Sequence, residues 1–334
     1  MSGDRDRRIR WGVLGTAHIG KVAVNPAIQA SRNGRLVAIA SRAEERAREL
    51  ASATGIPAYF GSYDALLREP GIDAVYVPLP NSEHKPWTIR AAEAGKHVLC
   101  EKPLGLSAAE CREMDAAAEA NGVRLMEAFM YRFHPRIDRI GSLVADGAIG
   151  ELRAIRSAFS FRLVRPDNIR LRPELGGGAL MDVGCYCVNL SRTVVGAEPL
   201  EAQAFASWTE SGVDGQLAGT LRFPGGVVAQ LDCALTIERR EMVEVVGTEG
   251  SLEMRSAFLP GTGPVAIEIH RGRAPTERIE VEGADQYRSM VEHFADCVLN
   301  GKAPRYEAGE AALNLAAIEA LYRSARSGGA VTPL

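Results

Sequence analysis

Short apolar runs alternate with helix-forming stretches through the first 127 residues, and no other feature limits the fold of this chain so strongly. Each run is rich in Val, Ile, Leu or Ala, is bounded by turn residues, and is typical of a strand buried on both faces. The predicted strands are 9–14, 35–40, 74–77, 97–100 and 123–127. Alternation of this kind predicts an α/β domain with a doubly wound parallel sheet.

Helix signals fall between these strands. Ser41 and Ser107 each stand three residues before a glutamate, which is the S-x-x-E form of a capping box. Ser82 begins a further predicted helix, and Gly95 is placed to end it as a C′ glycine.

After about residue 128 the pattern changes to consecutive strands with few helices between them. Turn signals such as Pro224-Gly-Gly separate several of these strands, and short connections favour an antiparallel sheet. We therefore predict a first domain over residues 1–127 and a second, α+β domain over residues 128–334. In the second part, strands are predicted at 152–162, 202–209, 216–223, 226–237, 242–246, 251–254 and 265–269, and helices at 135–146, 286–300 and 307–326.

Composition argues against several classes of protein. The net charge of −3 and the aromatic share of 6% do not suit a nucleic-acid-binding protein. No uncharged apolar run approaches the roughly 18 residues of a membrane span, and residues 1–10 are charged, without the apolar core of a secretory signal. Six cysteines without a C-x-x-C pair are expected to be reduced, buried thiols rather than metal ligands. We thus expect a cytoplasmic protein with no metal, membrane or nucleic-acid partner.

The turn after the first strand resembles a dinucleotide-binding fingerprint. It runs Gly15-Thr-Ala-His-Ile-Gly20, with Ala17 where the G-x-G-x-x-G pattern has its middle glycine. The helix that follows would offer free N–H groups and a positive dipole end to phosphates. A plain strand–turn–helix is the alternative, but the position in the first βα unit favours dinucleotide binding.

The end of the second strand bears on which dinucleotide is bound. An NAD site usually has an acidic residue there for the ribose hydroxyls, whereas this chain has Ser41 and Arg42. A hydroxyl and a guanidinium suit a 2′-phosphate, so we predict NADP, with NAD as the alternative. A capping serine followed by a solvated arginine would give the same residues.

Lys102 is the first candidate for chemistry. It follows the strand at 97–100 within Cys100-Glu-Lys-Pro103, and ligands of open α/β sheets bind outside the carboxyl ends of the strands. Pro103 restricts the lysine backbone, and the X-Pro bond could be cis. An ammonium there would favour the alkoxide of a substrate alcohol. Taken alone, this residue is more simply interpreted as a surface lysine at a strand–helix turn.

A second cluster follows the glycines at 176–178. If this segment is helical, Asp182, Tyr186 and Asn189 lie on one face, at i, i+4 and i+7. A tyrosine hydroxyl can relay a proton, and a carboxylate one turn away can bind a substrate or Lys102. An N-cap aspartate beside an interfacial tyrosine is the alternative.

Taken together, the fingerprint, Glu101-Lys-Pro103 and the Asp182-x-x-x-Tyr186 segment resemble the glucose–fructose oxidoreductase/inositol dehydrogenase (Gfo/Idh/MocA) family. The branch of dimeric dihydrodiol dehydrogenase and NADP-dependent D-xylose dehydrogenase is the most similar, and the resemblance covers nearly the whole chain. It implies a Rossmann domain followed by a substrate domain with a large, mainly antiparallel open sheet. That sheet often builds a dimer interface, so a homodimer or homotetramer is expected.

The resemblance also implies roles for particular residues. Lys102 matches the family's catalytic lysine, Tyr186 its general acid/base and Asp182 the supporting aspartate; together with Arg132, they are expected to contact substrate. Ala17 departs from the family's glycine-rich pattern. The expected cofactor contacts are Gly15, Ala17, His18, Ile19, Ser41, Arg42, Leu79, Asn81, His84, Glu101 and Lys102.

These observations predict an NAD(P)-dependent oxidoreductase that acts on a secondary alcohol or ketone of a sugar, cyclitol or related cyclic polyol. Three alternatives remain open: a redox-assisted glycosidase, an NDP-sugar 3-ketoreductase, and a dinucleotide-binding regulator without turnover.

Overall fold

The computed structural model describes residues 7–334, so most of the charged segment predicted at residues 1–10 lies outside the described residues. The chain divides into two compact units. The first contains the residues up to Met130 together with Asp285–Ala312, and the second contains Tyr131–Ala284 and Leu313–Leu334. The predicted boundary at residue 127 lies close to this division, but residues 285–312 group with the first unit rather than the second.

A six-stranded parallel sheet forms the centre of the first unit, in the order β3-β2-β1-β4-β5-β6. This is the doubly wound arrangement that the sequence predicts. The short strand β3, which pairs with β2, is not among the predicted strands. The six strands are β1 (Ile9–Leu14), β2 (Gly34–Ala40), β3 (Ala58–Phe60), β4 (Ala74–Val77), β5 (His97–Cys100) and β6 (Leu125–Glu127).

Helices cover the sheet of the first unit. A π-helical turn at Gly20–Val24 leads directly into the first of them. Ser107 caps its helix as predicted, since its Oγ accepts a hydrogen bond from Glu110 N–H at 3.2 Å. The helices are α1 (Asn25–Ala30), α2 (Glu44–Thr54), α3 (Tyr63–Leu67), α4 (Asn81–Glu93) and α5 (Ala108–Ala120).

The predicted capping box at Ser41 is wrong. The N-cap of α2 is Ala43, and the Ser41 hydroxyl accepts from the Ala43 N–H at 3.2 Å. Ser41 N–H donates to the Phe60 carbonyl at 3.1 Å, so pairing with the end of β3 keeps Ser41 out of the helix.

The second unit contains a nine-stranded sheet in the order β14-β13-β12-β11-β7-β10-β9-β8-β15. All of its pairings are antiparallel except that of β10 with β7, which confirms the predicted mainly antiparallel sheet. Strands β14 and β15 are additional to the prediction. The strands are β7 (Leu152–Ser160), β8 (Glu201–Trp208), β9 (Asp214–Arg222), β10 (Val228–Ala234), β11 (Arg240–Gly247), β12 (Ser251–Arg255), β13 (Val265–His270), β14 (Glu277–Val281) and β15 (Thr332–Pro333).

Four helices complete the chain: α6 (Pro135–Ala145), α7 (Cys185–Val195), α8 (Gln286–Leu299) and α9 (Ala308–Arg326). Helix α8 belongs to the first unit because it buries Met290, Val291 and Phe294 there. The Phe294 ring lies 5.6 Å from that of Trp11 on β1. The sequence predicts this helix, at 286–300, but not the surface that it covers.

Two composition-based expectations can be compared with the fold. All six cysteine side chains are buried and remain thiols, as predicted. Across residues 7–334, none of the helices is both long and apolar enough to cross a membrane.

Candidate functional site

The turn after β1 has a backbone shape that suits a phosphate group. Gly15 has a φ of 114°, where side chains are rarely tolerated, and a Cβ there would lie 3.1 Å from Leu79 Cδ2. Gly15 N–H donates to the Ala40 carbonyl at 2.8 Å, which ties the turn to the end of β2. Helical bonding begins at Ala17, whose carbonyl accepts from Lys21 N–H at 3.1 Å. The N–H groups of this first turn, which contains His18 and Ile19, have no intrahelical acceptors and form the positive end of the helix.

A cation lies beside this turn. Arg42 is exposed, and its guanidinium faces the hydroxyl of Tyr63. That hydroxyl would be 3.7 Å from a Cβ placed on Gly15. Burial raises the pKa of Tyr63, an effect that Arg42 opposes. A guanidinium and a hydroxyl next to the phosphate turn fit the 2′-phosphate of NADP. Sequence reasoning missed Tyr63 because its position depends on α3, which was not predicted.

Three buried groups anchor the backbone around Lys102 at the carboxyl end of β5. Tyr76 Oη donates to Glu101 Oε1 at 2.6 Å, and the second Glu101 oxygen accepts from Lys102 N–H at 3.4 Å. Leu104 N–H donates to Glu127 Oε1 at 2.8 Å. The Lys102–Pro103 bond is cis, as the sequence allowed. The lysine therefore extends from a segment that is held from both β4 and β6.

His84 supplies the third anchor. Its Nδ1 lies 2.9 Å from the Pro103 carbonyl, and its Nε2 lies 2.9 Å from the Leu79 carbonyl. The ring is completely buried, and burial lowers its pKa even though both carbonyls favour the protonated form. His84 thus links the segment after β4, where Asn81 begins α4, to the segment after β5. The sequence prediction that His84 contacts the cofactor remains a prediction; the structure shows a bridging role.

In the second unit, the glycines at 176–178 lead into one helical segment. A π-helical turn at Leu180–Gly184 continues into α7 and carries Asp182 and Tyr186. Arg170 Nε lies 2.5 Å from Asp182 Oδ2, and the Asp182 side chain is 13% exposed. The predicted helix and its polar residues are present, and the ion pair fixes the direction of this carboxylate.

Three aromatic rings surround Tyr186. Its ring centroid lies 5.8 Å from that of Tyr131, 5.4 Å from that of Phe159 and 5.3 Å from that of Phe258. Tyr131 Oη donates to Asn189 Oδ1 at 2.6 Å, so Tyr186 and Asn189 share the face of α7 that Tyr131 covers. Only 5% of Tyr186 is exposed. The phenol is consequently held in one orientation.

The loop after β12 places the Phe258 ring against Tyr186. Arg136 on α6 donates to the carbonyls of Arg255, Ser256 and Ala257 at 2.6–3.0 Å. The N–H groups of Phe258 and Leu259 both donate to Glu241 Oε1. None of these partners had a sequence signal, because they come together only through long-range pairing of the loop with α6 and β11.

Arg132 and His134 lie just before α6. His134 is the N-cap of this helix, and its Nδ1 accepts from Arg136 N–H at 3.1 Å. Burial, with help from the Arg136 charge, lowers the pKa of His134 to about 4. Arg132 is buried in a 3₁₀ turn at Met130–Phe133, and its substrate contact stays a prediction.

One group of side chains in the described part of the chain has the composition of a cation site. Glu253, Glu268 and His270 on β12 and β13 bring their ligand atoms within 4.8 Å of one another. All three are partly exposed, and His270 Nε2 lies 3.8 Å from Glu253 Oε2. Ordinary surface contacts account for this geometry, since Glu253 pairs with Arg255 at 3.3 Å and His270 Nδ1 lies 3.1 Å from Thr276 Oγ1.

The residues of the first unit fit a bound dinucleotide. The Gly15 turn leaves open the space that a side chain would fill, the helix start offers N–H donors, and Arg42 supplies a positive charge. The residues of the second unit provide a held phenol and a paired carboxylate. Such groups can orient a hydroxyl and move its proton.

Two protein-family models match this chain, one in each of its two units. Residues 9–129 match the model of the GFO/IDH/MocA family, described as an oxidoreductase family with an NAD-binding Rossmann fold. Residues 137–253 match the GFO/IDH/MocA C-terminal domain.

Individual relatives extend over most of the chain. D-xylose 1-dehydrogenase (NADP(+)) 2 of Haloferax volcanii is 42% identical over 324 residues, covering 96% of this chain and 98% of the relative. Trans-1,2-dihydrobenzene-1,2-diol dehydrogenase of Mus musculus is 35% identical over 255 residues, covering 75% and 76%. The crystal structure of KijD10, a 3-ketoreductase from Actinomadura kijaniata in complex with NADP and TDP-benzene, has a TM-score of 0.90 at 32% identity and covers 95% of this chain and 98% of that one.

Proposed function

The chain belongs to the GFO/IDH/MocA oxidoreductase family, and from this premise we propose that it transfers a hydride between NADP and a secondary alcohol or ketone of a sugar or related cyclic polyol. The relatives support this substrate class, since one is named for D-xylose and another for a cyclic diol. The cofactor is NADP rather than NAD because Arg42, with Tyr63 behind it, stands where an NAD site has a carboxylate.

Each catalytic side chain has one task in this proposal. In oxidation, Tyr186 accepts the proton of the substrate hydroxyl, and the Lys102 ammonium stabilises the negative charge that develops. Asp182, held by Arg170, orients the substrate hydroxyl. The Gly15 turn and Arg42 would hold the dinucleotide, whose nicotinamide would supply the hydride acceptor needed to convert the alcohol into a ketone. In reduction the same groups act in reverse.

The anchoring of Lys102 is the observation that carries the proposal. Side chains from β4, α4 and β6 hold the short segment of Glu101–Leu104, although a surface lysine would need none of them. In an open α/β sheet, ligands bind at the carboxyl ends of the strands, where the strand order reverses. Here the order reverses between β1 and β4, next to β5.

A spectrophotometric screen at 340 nm tests the proposal. Pentoses, hexoses, inositols and trans-dihydrodiols are each supplied with NADP or NAD, and a dTDP-sugar is included in the set. We expect NADP reduction with at least one free sugar or polyol. Turnover restricted to the nucleotide sugar would identify a 3-ketoreductase instead. Release of a leaving group without net NADPH change would identify a glycosidase, and NADP binding without any turnover would identify a regulator.

We also infer that two copies of the chain associate through the outward face of the nine-stranded sheet. Phe205 on β8 is 61% exposed, and it lies on the face of the strand opposite to the buried Ala202 and Ala204. An open depression on this face is lined by Phe205, Arg156 and Met242, among other residues. Exposed apolar groups on a sheet of this size favour a partner with the same surface.

A further inference from the structure

A buried carboxylate lies under the start of the helical segment that carries Asp182 and Tyr186. Asp214, the first residue of β9, is 1% exposed. Its Oδ2 accepts from Leu180 N–H at 2.7 Å, and its Oδ1 accepts from Tyr322 Oη on α9 at 2.7 Å. A negative charge at the N-terminal end of a helical segment is favourable. Asp214 therefore anchors a turn from which Asp182 is only two residues away.

The backbone beside this carboxylate leaves no room for a side chain. Gly178 has a φ of 122°, and a Cβ there would come within 2.1 Å of Asp214 Oδ1 and 2.9 Å of Tyr322 Oη. The Gly178 carbonyl in turn accepts from Asp182 N–H at 3.0 Å. The backbone from Gly178 to Asp182 thus lies directly against the two side chains.

We propose that Asp214 and Tyr322 form a positioning pair that sets the placement of Asp182 and Tyr186 for hydride transfer. The inference rests on the proposed function, since it assigns these two residues their reactive role. Neither Asp214 nor Tyr322 is placed in contact with substrate or cofactor. Their effect passes through the Leu180 N–H and the turn that begins there.

The surroundings of Asp214 make the pair sensitive to pH. Tyr322 and Arg326 face it from α9 and the Cys233 thiol faces it from β10, besides the Leu180 N–H. Burial raises the pKa of Asp214 to about 6, and the bonds from Tyr322 and Leu180 oppose that rise. A proton on the carboxylate removes an acceptor site, so the anchor weakens as the pH falls through about 6. Activity is then expected to show an acidic limb in this range.

Two conservative variants test the pair through the pH dependence of kcat. Asp214→Asn keeps the shape but removes the titration, so we expect kcat to fall at least fivefold and the limb near pH 6 to disappear. Tyr322→Phe removes a bond that lowers the pKa of Asp214, so the limb is expected to move to higher pH. In both, the Kd of NADP stays within twofold, because the phosphate turn belongs to the first unit. Asp232→Asn, at a partly exposed carboxylate of β10, is the matched control.

Hydrogen exchange supplies a readout that does not depend on turnover. In Asp214→Asn, amides in a peptide covering residues 178–186 are expected to exchange at least fivefold faster than in the wild type at pH 8. Wild-type kcat, an unshifted acidic limb and unchanged exchange in both variants would overturn the positioning pair. If the wild-type protein itself shows no hydride transfer, the proposed function fails, and exchange still decides whether Asp214 anchors the turn.

Discussion

The role of Lys102 derives from the residues around it rather than from the lysine itself. A lysine at the end of a strand is ordinarily solvated and mobile. The side chain alone does not distinguish a catalytic lysine from a surface lysine. Glu101 and Pro103 on either side of it are bound by Tyr76 and His84, which limits the directions its ammonium can take. Preorganised charge of this kind is what stabilises a developing alkoxide.

Replacing Lys102 by alanine tests that role. We expect kcat to fall more than ~100-fold, because the charge on the substrate oxygen loses its partner, while the Kd of NADP changes little. Steady-state kinetics and a fluorescence titration with NADPH measure the two quantities. Lys302→Ala, which alters an exposed lysine of the same unit, is the control. Turnover within a few-fold of wild type would remove Lys102 from the mechanism.

Arg42 is the residue expected to distinguish the two dinucleotides. In Arg42→Ala, the KM for NADP should rise roughly 10- to 100-fold, which corresponds to loss of a hydrogen bond to a charged group worth about 1.5–3 kcal/mol. The KM for NAD should stay nearly constant, because NAD has no 2′-phosphate. Arg46→Ala on α2 provides a matched loss of one exposed charge. An equal rise in the KM for both cofactors would show that Arg42 does not bind the 2′-phosphate.

At the scale of elements, two of the helical segments that carry candidate site residues share one irregularity. The segment after β1 and the segment that carries Tyr186 each contain a five-residue π-helical turn before the regular helix. Such turns occur frequently at functional sites and redirect the side chains of one helical turn. Each follows a glycine with positive φ, Gly15 in one case and Gly178 in the other. The glycines were visible in the sequence, but the π-helical turns were not.

The two glycines of the fingerprint are expected to respond differently to alanine. Gly15→Ala introduces a side chain at φ 114° against Leu79, so it should cost about 1–2 kcal/mol of stability and weaken NADP binding at least tenfold. A Cβ on Gly20 would meet only ordinary contacts at 3.5 Å, and that residue is helical. Gly20→Ala should therefore be neutral or stabilise the protein by about 0.5–1 kcal/mol.

Chemical denaturation and NADPH titration compare the two glycine variants directly. If Gly20→Ala proved as damaging as Gly15→Ala, the backbone of the turn would not be the property on which binding depends. An unchanged NADP affinity in Gly15→Ala would place the phosphates elsewhere.

At the scale of the whole molecule, the order of the chain does not follow the order of its units. The segment Asp285–Ala312 returns to the first unit after β14, and the chain then adds β15 to the nine-stranded sheet of the second unit. Arg32 and Asn33 hold it through Asp296, and Phe294 packs on Trp11. The sheet of the second unit is left with an outward face on which Phe205 is exposed.

Self-association through the outward face of the nine-stranded sheet can be tested at Phe205. Phe205→Glu should shift the protein from an oligomer to a monomer, because a charge would be buried where the two copies meet. Light scattering coupled to size exclusion measures the mass of each form. Tyr59→Glu, at an exposed aromatic residue of the first unit, should leave the mass unchanged. A wild-type protein that is monomeric at micromolar concentration would contradict the inferred association.

Local signals were sufficient for much of the fold. The strands at Ile9–Leu14, Ala74–Val77 and His97–Cys100 have the predicted bounds, because each is a short apolar run between turn residues and buried on both sides. The resemblance that rests on Glu101-Lys-Pro103 and Asp182-x-x-x-Tyr186 likewise uses residues close together in the chain, and it identified the family correctly.

Only the tertiary structure decided which distant groups support those residues. Tyr63 stands beside Arg42, Phe258 beside Tyr186, and Asp214 beneath Leu180, and no periodicity or spacing relates the members of any of these pairs. The same holds for β3, which draws Ser41 away from its expected cap. Composition and hydrophobic pattern indicate whether a side chain prefers burial. Which residue that side chain contacts depends on how sheets and loops pack, and this packing joins residues that are tens or hundreds of positions apart.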